Sequence, residues 1–125
     1  MILLTGATGF LGSRILAALL KTGYEVVIVK RSFSDTANIA ENLEHDRLHI
    51  FEIDRDDPRK IFETYKIKTI IHAATEYGRG ATPVFKILEA NLILPIRLAE
   101  LGIDYGVKCF INTDSFFNKG NSSYS

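Results

Sequence analysis

The sequence is short of the features that mark specialised classes of protein. It has one cysteine in 125 residues, so it can form no internal disulfide and no thiolate metal cluster. It has no tryptophan and no charge excess. Its 15 Lys and Arg balance 15 Asp and Glu, leaving no electrostatic footprint for nucleic acid or an anionic membrane. No apolar run approaches the ~20 residues of a membrane-crossing helix. The start, Met1-Ile2-Leu3-Leu4, passes straight into glycines without the basic stretch that opens a secretory signal. The expectation is a soluble, cytoplasmic protein with no nucleic-acid or membrane partner and no metal site.

What remains is an ordinary globular composition, 46% hydrophobic and 24% charged, rich enough to bury the core of one domain over 1–125. Short β-rich runs alternate with longer helical ones. Strands are expected at 2–4, 24–29, 48–53, 69–72 and 109–112. Tyr24 to Val29 is almost continuously apolar, as in a strand covered on both faces. Helices are expected at 10–22, 35–43, 57–65 and 82–101. The first should bury Leu11, Ile15, Ala18 and Leu19 and stop at Gly23. The third should open on an Asp57 cap with Pro58 in its first turn. The last contains Pro95, which should kink it. Strictly alternating β and α elements predict an α/β fold, a doubly wound parallel sheet in the order 3-2-1-4-5 with helices on both faces.

The turn between the first strand and the first helix reads Thr5-Gly6-Ala7-Thr8-Gly9-Phe10-Leu11-Gly12. Gly6 allows a tight exit from the strand. Gly9 lets the chain approach a pyrophosphate with no side chain between, and Gly12 lets the helix pack on the sheet. The helix N-terminus then offers unpaired N–H groups to the phosphates. Three glycines could also be plain turn residues, but here a strand precedes them and a helix follows.

These residues resemble the Thr-Gly-x-x-Gly-x-x-Gly turn of the extended short-chain dehydrogenases/reductases, a branch of nucleotide-sugar epimerases, dehydratases and reductases. The resemblance covers essentially the whole chain. It implies a Rossmann-type domain in which Gly6, Thr8, Gly9, Phe10 and Leu11 hold the pyrophosphate. At the end of the second strand, NAD-preferring members carry an acid that holds the ribose hydroxyls, whereas this chain has Lys30-Arg31-Ser32. Two cations and a hydroxyl suit a 2′-phosphate, which favours NADP(H) over NAD(H); a solvated strand end is the other reading. Asp54-Arg55 resembles the family's acidic–aliphatic pair at the adenine, with Arg55 a departure. Asp54 is also a plausible helix-entry residue. His72-Ala73-Ala74-Thr75 resembles the stretch beside the ribose and nicotinamide, where Ala73, Ala74 and Thr75 leave room for the dinucleotide. His72 itself is either catalytic or structural, and a lone strand-end histidine is more often structural. Asn91 resembles the buried helix asparagine near the family's active site, and apolar Ile87, Leu88, Leu92 and Leu94 around it favour burial.

The resemblance further implies catalysis by hydride transfer, with a tyrosine acid/base, a lysine four residues later that lowers its pKa, and a Ser or Thr on the substrate oxygen. Ser115 occupies the serine position and Thr113 lines the same strand exit. Asp114 departs from the usual small neutral residue. No tyrosine here has a lysine four residues on, so the Tyr/Lys pair and the sugar-nucleotide-binding lobe are expected beyond Ser125. The chain is then expected to be the N-terminal, dinucleotide-binding portion of a nucleotide-sugar epimerase, dehydratase or 4-keto reductase, inactive alone and a possible homodimer through its long helix. The alternative is a dinucleotide-binding sensor or scaffold without chemistry. A flavodoxin-like or receiver-type domain is disfavoured by the glycine spacing and the missing N-terminal acidic pair.

Overall fold

The computed structural model describes residues 1–113. Five strands, β1 (Ile2–Thr5), β2 (Val26–Lys30), β3 (Leu48–Glu52), β4 (Thr69–His72) and β5 (Cys109–Asn112), form one sheet in the order β3-β2-β1-β4-β5. Every neighbouring pair is parallel, which is the order and direction expected from the sequence.

The sheet has two faces because successive side chains point to opposite sides. Leu3, Val27, Val29 and Ile70 face one way and pack with Ile61, Phe62, Leu98 and Leu101. Leu4, Val26 and Ile28 face the other way and pack with Ala7, Leu16, Leu20 and Ile39. This explains the unbroken apolar run of β2, since neither side of the strand meets water. Each of these fully buried aliphatic side chains contributes about 1.5–3 kcal/mol. Cover thins outward. All four residues of β1 are buried, while all four of β5 are exposed.

Helix α1 (Phe10–Lys21) buries Gly12, Ser13, Leu16 and Leu20. This corrects part of the expected face: Leu11 is 51% exposed and Ala18 is exposed, while Ile15 and Leu19 pack partly buried against the core. The helix is rotated because Gly12 packs on the turn below it, where a Cβ would land on the Gly6 carbonyl. Positions 16 and 20 then follow on the Gly12 face at i+4 and i+8. Gly23 (φ +95°) terminates the helix as expected.

The segment expected as a helix at 35–43 is a short 3₁₀ helix, Ala37–Asn42. The next helix, α2 (Arg59–Thr64), is shorter than expected, and the Arg59 N–H donates to Asp57 Oδ1 at 2.9 Å, the expected cap. The long helix has three parts: α3 (Val84–Leu88), a π-helical turn (Glu89–Ile93) and α4 (Leu94–Asp104). Pro95, expected to kink the helix, stands in the first turn of α4. The widening falls in the turn just before it, where the Leu94 N–H reaches back to the Glu89 carbonyl. Gly102 packs against Ile70 and Val107, and the left-handed exit belongs to Gly106 (φ +75°).

Candidate functional site

Parallel strands carry their carboxyl ends to one edge of the sheet, and ligands of such sheets bind where the order reverses, here between β1 and β4. Three groups of residues meet along that edge.

The first is the turn after β1. Gly6 has φ +71°, and a Cβ there would sit 2.5 Å from the Ala74 nitrogen. Its glycine therefore serves two ends, the left-handed turn and the close passage of the Ala73–Ala74 backbone. Gly9 is different. Its φ of −81° and ψ of 176° suit any residue, and a Cβ would meet only the Gly6 carbonyl, at an ordinary 3.4 Å. Neither strain nor packing requires glycine there, so the vacant space is on the outer side. α1 begins at this point with no side-chain cap and no acid in its first turn, leaving its dipole available to an anion. Phe10, 79% exposed, and Leu11 flank that end. The empty Cβ position at Gly9 in front of an uncapped helix fits a pyrophosphate. Asn38, which sequence reading missed, donates from Nδ2 to the Thr8 carbonyl at 2.9 Å and fastens the turn to the 3₁₀ helix.

The second group ties β1, β4 and β5 together. Thr5 and His72 are register partners, and Thr5 Oγ1 lies 2.7 Å from His72 Nδ1. The Ala74 N–H donates to the same hydroxyl at 3.2 Å, and the Ala73 N–H donates to the Thr5 carbonyl. Thr113 donates both its N–H and its hydroxyl to the His72 carbonyl, at 3.0 and 3.1 Å. His72 is 3% exposed, and this burial lowers its pKa below the ordinary histidine value. A neutral imidazole can accept at Nδ1 from the Thr5 hydroxyl, which in turn accepts from the Ala74 N–H. His72 thus has the surroundings of a structural histidine. Thr5 takes part in three of these hydrogen bonds, whereas the sequence marked it only as the first residue of the glycine turn.

Beyond this hub the chain enters the loop of Thr75 and Glu76. Asn91 Oδ1 accepts from the Glu76 N–H and its Nδ2 donates to the Glu76 carbonyl, both at 2.8 Å. Asn91 sits in the π turn and is exposed, not buried as expected. Leu88 (45%) and Leu92 (51%) beside it are also exposed, because only the α4 end of the long helix, through Leu98, Leu101 and Gly102, is pressed into the core. What holds the asparagine is the loop backbone.

The third group is the rim formed by the ends of β2 and β3. The expected free cation at Lys30 is not free: its ammonium pairs with Glu52 Oε1 at 3.2 Å and donates to the Arg31 carbonyl at 3.1 Å. Lys30 and Glu52 are register partners, which is why they meet. Arg55 Nε takes the other Glu52 oxygen at 3.2 Å. Ser32 donates its N–H and its hydroxyl to the two oxygens of Asp54, at 2.7 and 2.6 Å. Those hydrogen bonds hold the Asp54 carboxyl below its ordinary pKa. Arg31 lies over the Phe33 ring at 5.0 Å and, among the described residues, pairs with no carboxylate. Asp114 and Ser115 lie outside the described residues. The rim's residues were named from the sequence, but not their pairings, because the partners are 22 residues apart and meet only in the folded sheet.

Comparison with known proteins agrees with this geometry. The chain is 40% identical over 124 residues to the CDP-abequose synthase of Salmonella muenchen, covering 98% of this chain and 40% of that protein. Among solved structures it superposes on the UDP-glucose 4-epimerase of Thermotoga maritima, crystallised with UDP-glucose, with a TM-score of 0.75. Identity there is 28%, over 91% of this chain and 37% of the other. It matches the UDP-glucuronic acid 4-epimerase of Bacillus cereus, in complex with NAD, at a TM-score of 0.77 and 26% identity, over 98% and 42% of the two chains. The chain thus spans about two fifths of the length of such relatives. The sequence profile described as the NAD dependent epimerase/dehydratase family matches residues 2–123. With the glycine turn, the sheet order and nearly the whole sequence in agreement, the chain belongs to the NAD-dependent epimerase/dehydratase family.

Proposed function

We propose that this chain is the dinucleotide-binding portion of an enzyme that acts on a nucleotide sugar as an epimerase, dehydratase or 4-keto reductase. The observation that carries the reading is the empty Cβ position at Gly9 before an uncapped helix N-terminus, in a family whose relatives include nucleotide-sugar enzymes. When bound, NAD(P) supplies the capacity to take a hydride from a sugar carbon and return it. In this reading the backbone N–H groups around Gly9, Phe10 and Leu11 receive the pyrophosphate, with Gly6 and Thr8 shaping the turn. Ala73, Ala74 and Thr75 leave a side-chain-poor passage toward the nicotinamide. Asn91 holds the Glu76 backbone and so fixes the loop on the substrate side. Thr113 and Ser115 are assigned to the substrate oxygen, the first from its place at the β5 exit and the second from family resemblance alone.

Within this reading the dinucleotide is NADP(H) in preference to NAD(H). Arg31 is the main support, since its guanidinium stands at the rim without a carboxylate partner among the described residues and can take a 2′-phosphate through two hydrogen bonds. Lys30 and Ser32 contribute less than their types suggest, because Glu52 and Asp54 already engage them. Asp54 and Arg55 border the adenine side. A cytoplasmic location belongs to the same reading. So does a homodimer through the long helix, which turns Val84, Phe85, Leu88, Leu92 and Ile96 outward, each 45% exposed or more.

Titration of the protein with NADPH and NADH tests the reading. NADPH is expected to bind about tenfold more tightly, and Arg31→Asp to remove that preference. No binding of either dinucleotide would overturn the assignment of the site. Equal affinities, unchanged in Arg31→Asp, would overturn the preference.

A further inference from the structure

We propose that Glu52, a residue with no expected contact to the dinucleotide, sets how strongly the protein distinguishes NADP(H) from NAD(H). The inference rests on the reading that the β2–β3 rim receives the adenosine end.

One carboxylate lies between two cations of this rim. Lys30 Nζ is 3.2 Å from Glu52 Oε1, and Arg55 Nε is 3.2 Å from Glu52 Oε2. The Lys30 side chain is 9% exposed and that of Glu52 32%, so the Lys30 pair is shielded from water, and salt weakens it less than an exposed pair. A Lys30-Arg31 strand end would present two positive charges. Glu52 cancels one of them and also draws in Arg55, leaving Arg31 as the cation that stands clear.

The two dinucleotides feel this differently. A 2′-phosphate brings about two negative charges. It would gain from each released cation and be opposed by a carboxylate of the same rim, with a Coulomb effect of about tenfold in affinity for one unit charge there. A 2′-hydroxyl is neutral and nearly indifferent to both. Glu52 therefore penalises the phosphorylated dinucleotide selectively. Its geometry makes it a tuning residue that acts through Lys30 and Arg55.

The test compares dissociation constants for NADPH and NADH in the wild-type protein and in Glu52→Gln. The glutamine keeps one acceptor, for the Lys30 ammonium, and removes both the charge and the oxygen that accepts from Arg55, which is exposed to solvent. NADPH binding is expected to tighten about five- to tenfold, with NADH changed less than about twofold. Glu52→Asp, which keeps the charge, should hold the NADPH:NADH ratio within about twofold of wild type by the same reasoning. Should Glu52→Gln fail to fold, the comparison of Lys30→Gln with Lys30→Gln/Glu52→Gln has no buried lysine to orphan, and the ratio should still rise on loss of the carboxylate. A change of both affinities by the same factor, or a fall in the ratio, would show Glu52 to be only structural. Wild-type protein that binds neither dinucleotide would refute the reading of the site itself. Wild-type protein that binds both, with a ratio deaf to residue 52, would refute only this inference.

Discussion

The turn after β1 and the rim between β2 and β3 lie at the same edge of the sheet, yet they are built by opposite means. The turn is made of backbone. Its three glycines are defined by what a Cβ would meet: the Ala73–Ala74 chain at Gly6, the Gly6 carbonyl in hard overlap at Gly12, and at Gly9 only the Gly6 carbonyl at an ordinary 3.4 Å. The rim is made of side chains. Lys30, Glu52 and Arg55 form one ion-paired group, and Ser32 hydrogen-bonds the Asp54 carboxylate beside it. A backbone device tolerates almost no substitution and carries little specificity of its own. A side-chain device can be retuned one charge at a time. In the proposed function, the fixed recognition of a pyrophosphate would fall to the turn, and the variable choice at the ribose to the rim.

The largest effect should come from Gly12→Ala. The added methyl group has nowhere to go, because the atoms it meets are backbone. A loss of about 3 kcal/mol or more, or failure to fold, is expected in thermal unfolding. A variant as stable as wild type would break the claim that packing fixes this turn.

Gly9→Val should separate the two demands on the turn. Its backbone angles are open to valine and its nearest neighbour is at ordinary contact distance. The thermal midpoint should correspond to a change within about 1 kcal/mol, while dinucleotide affinity falls about 30-fold or more because the side chain fills the anion position. Unaltered binding by calorimetry would remove the pyrophosphate from Gly9.

The hub behind the turn predicts an acid limb in stability. Burial lowers the pKa of His72 in the folded state, so the unfolded chain takes up this proton first. The stability it contributes is complete above its ordinary value of about 6.5 and declines as pH falls below that, by at most about 1.4 kcal/mol per pH unit for one proton. Denaturant unfolding from pH 7.5 to 5 should show this slope, and His72→Gln should flatten it. An unchanged slope in the variant would place the titration elsewhere.

The smallest effect belongs to the rim. Ser32→Ala removes one exposed hydrogen bond and should cost less than about 1 kcal/mol. It should also let the Asp54 carboxyl rise toward its ordinary value of 3.8, since the Ser32 hydroxyl is the largest cause of the lowering. Carboxyl chemical shifts followed through acid pH would show whether it does. A large loss of stability here would mean that the rim is as rigid as the turn.

The difference between the two regions also explains what was legible in the sequence. Gly6, Gly9 and Gly12 could be placed because a βα turn is local and its demands fall on adjacent residues. The buried face of α1 was misjudged in part for a related reason: apolar spacing pointed to Leu11, Ile15, Ala18 and Leu19, whereas the contact of Gly12 with Gly6 sets the rotation. Asn91 could be singled out, but not its partner, since the Glu76 backbone reaches it across a loop. Lys30 looked free because nothing in the sequence states which residue of β3 lies beside it.

The alternation of strand and helix, the parallel sheet order and the glycine turn were determined by sequence alone, because hydrophobic period and glycine conformation act over a few residues. Strand register brought Glu52 to Lys30 and His72 to Thr5, and the ends of β2 and β3 brought Asp54 to Ser32. Those encounters join residues 22 to 67 positions apart. Only the tertiary structure decides them, because the energy that fixes register lies in burying the whole sheet and not in the pairs themselves.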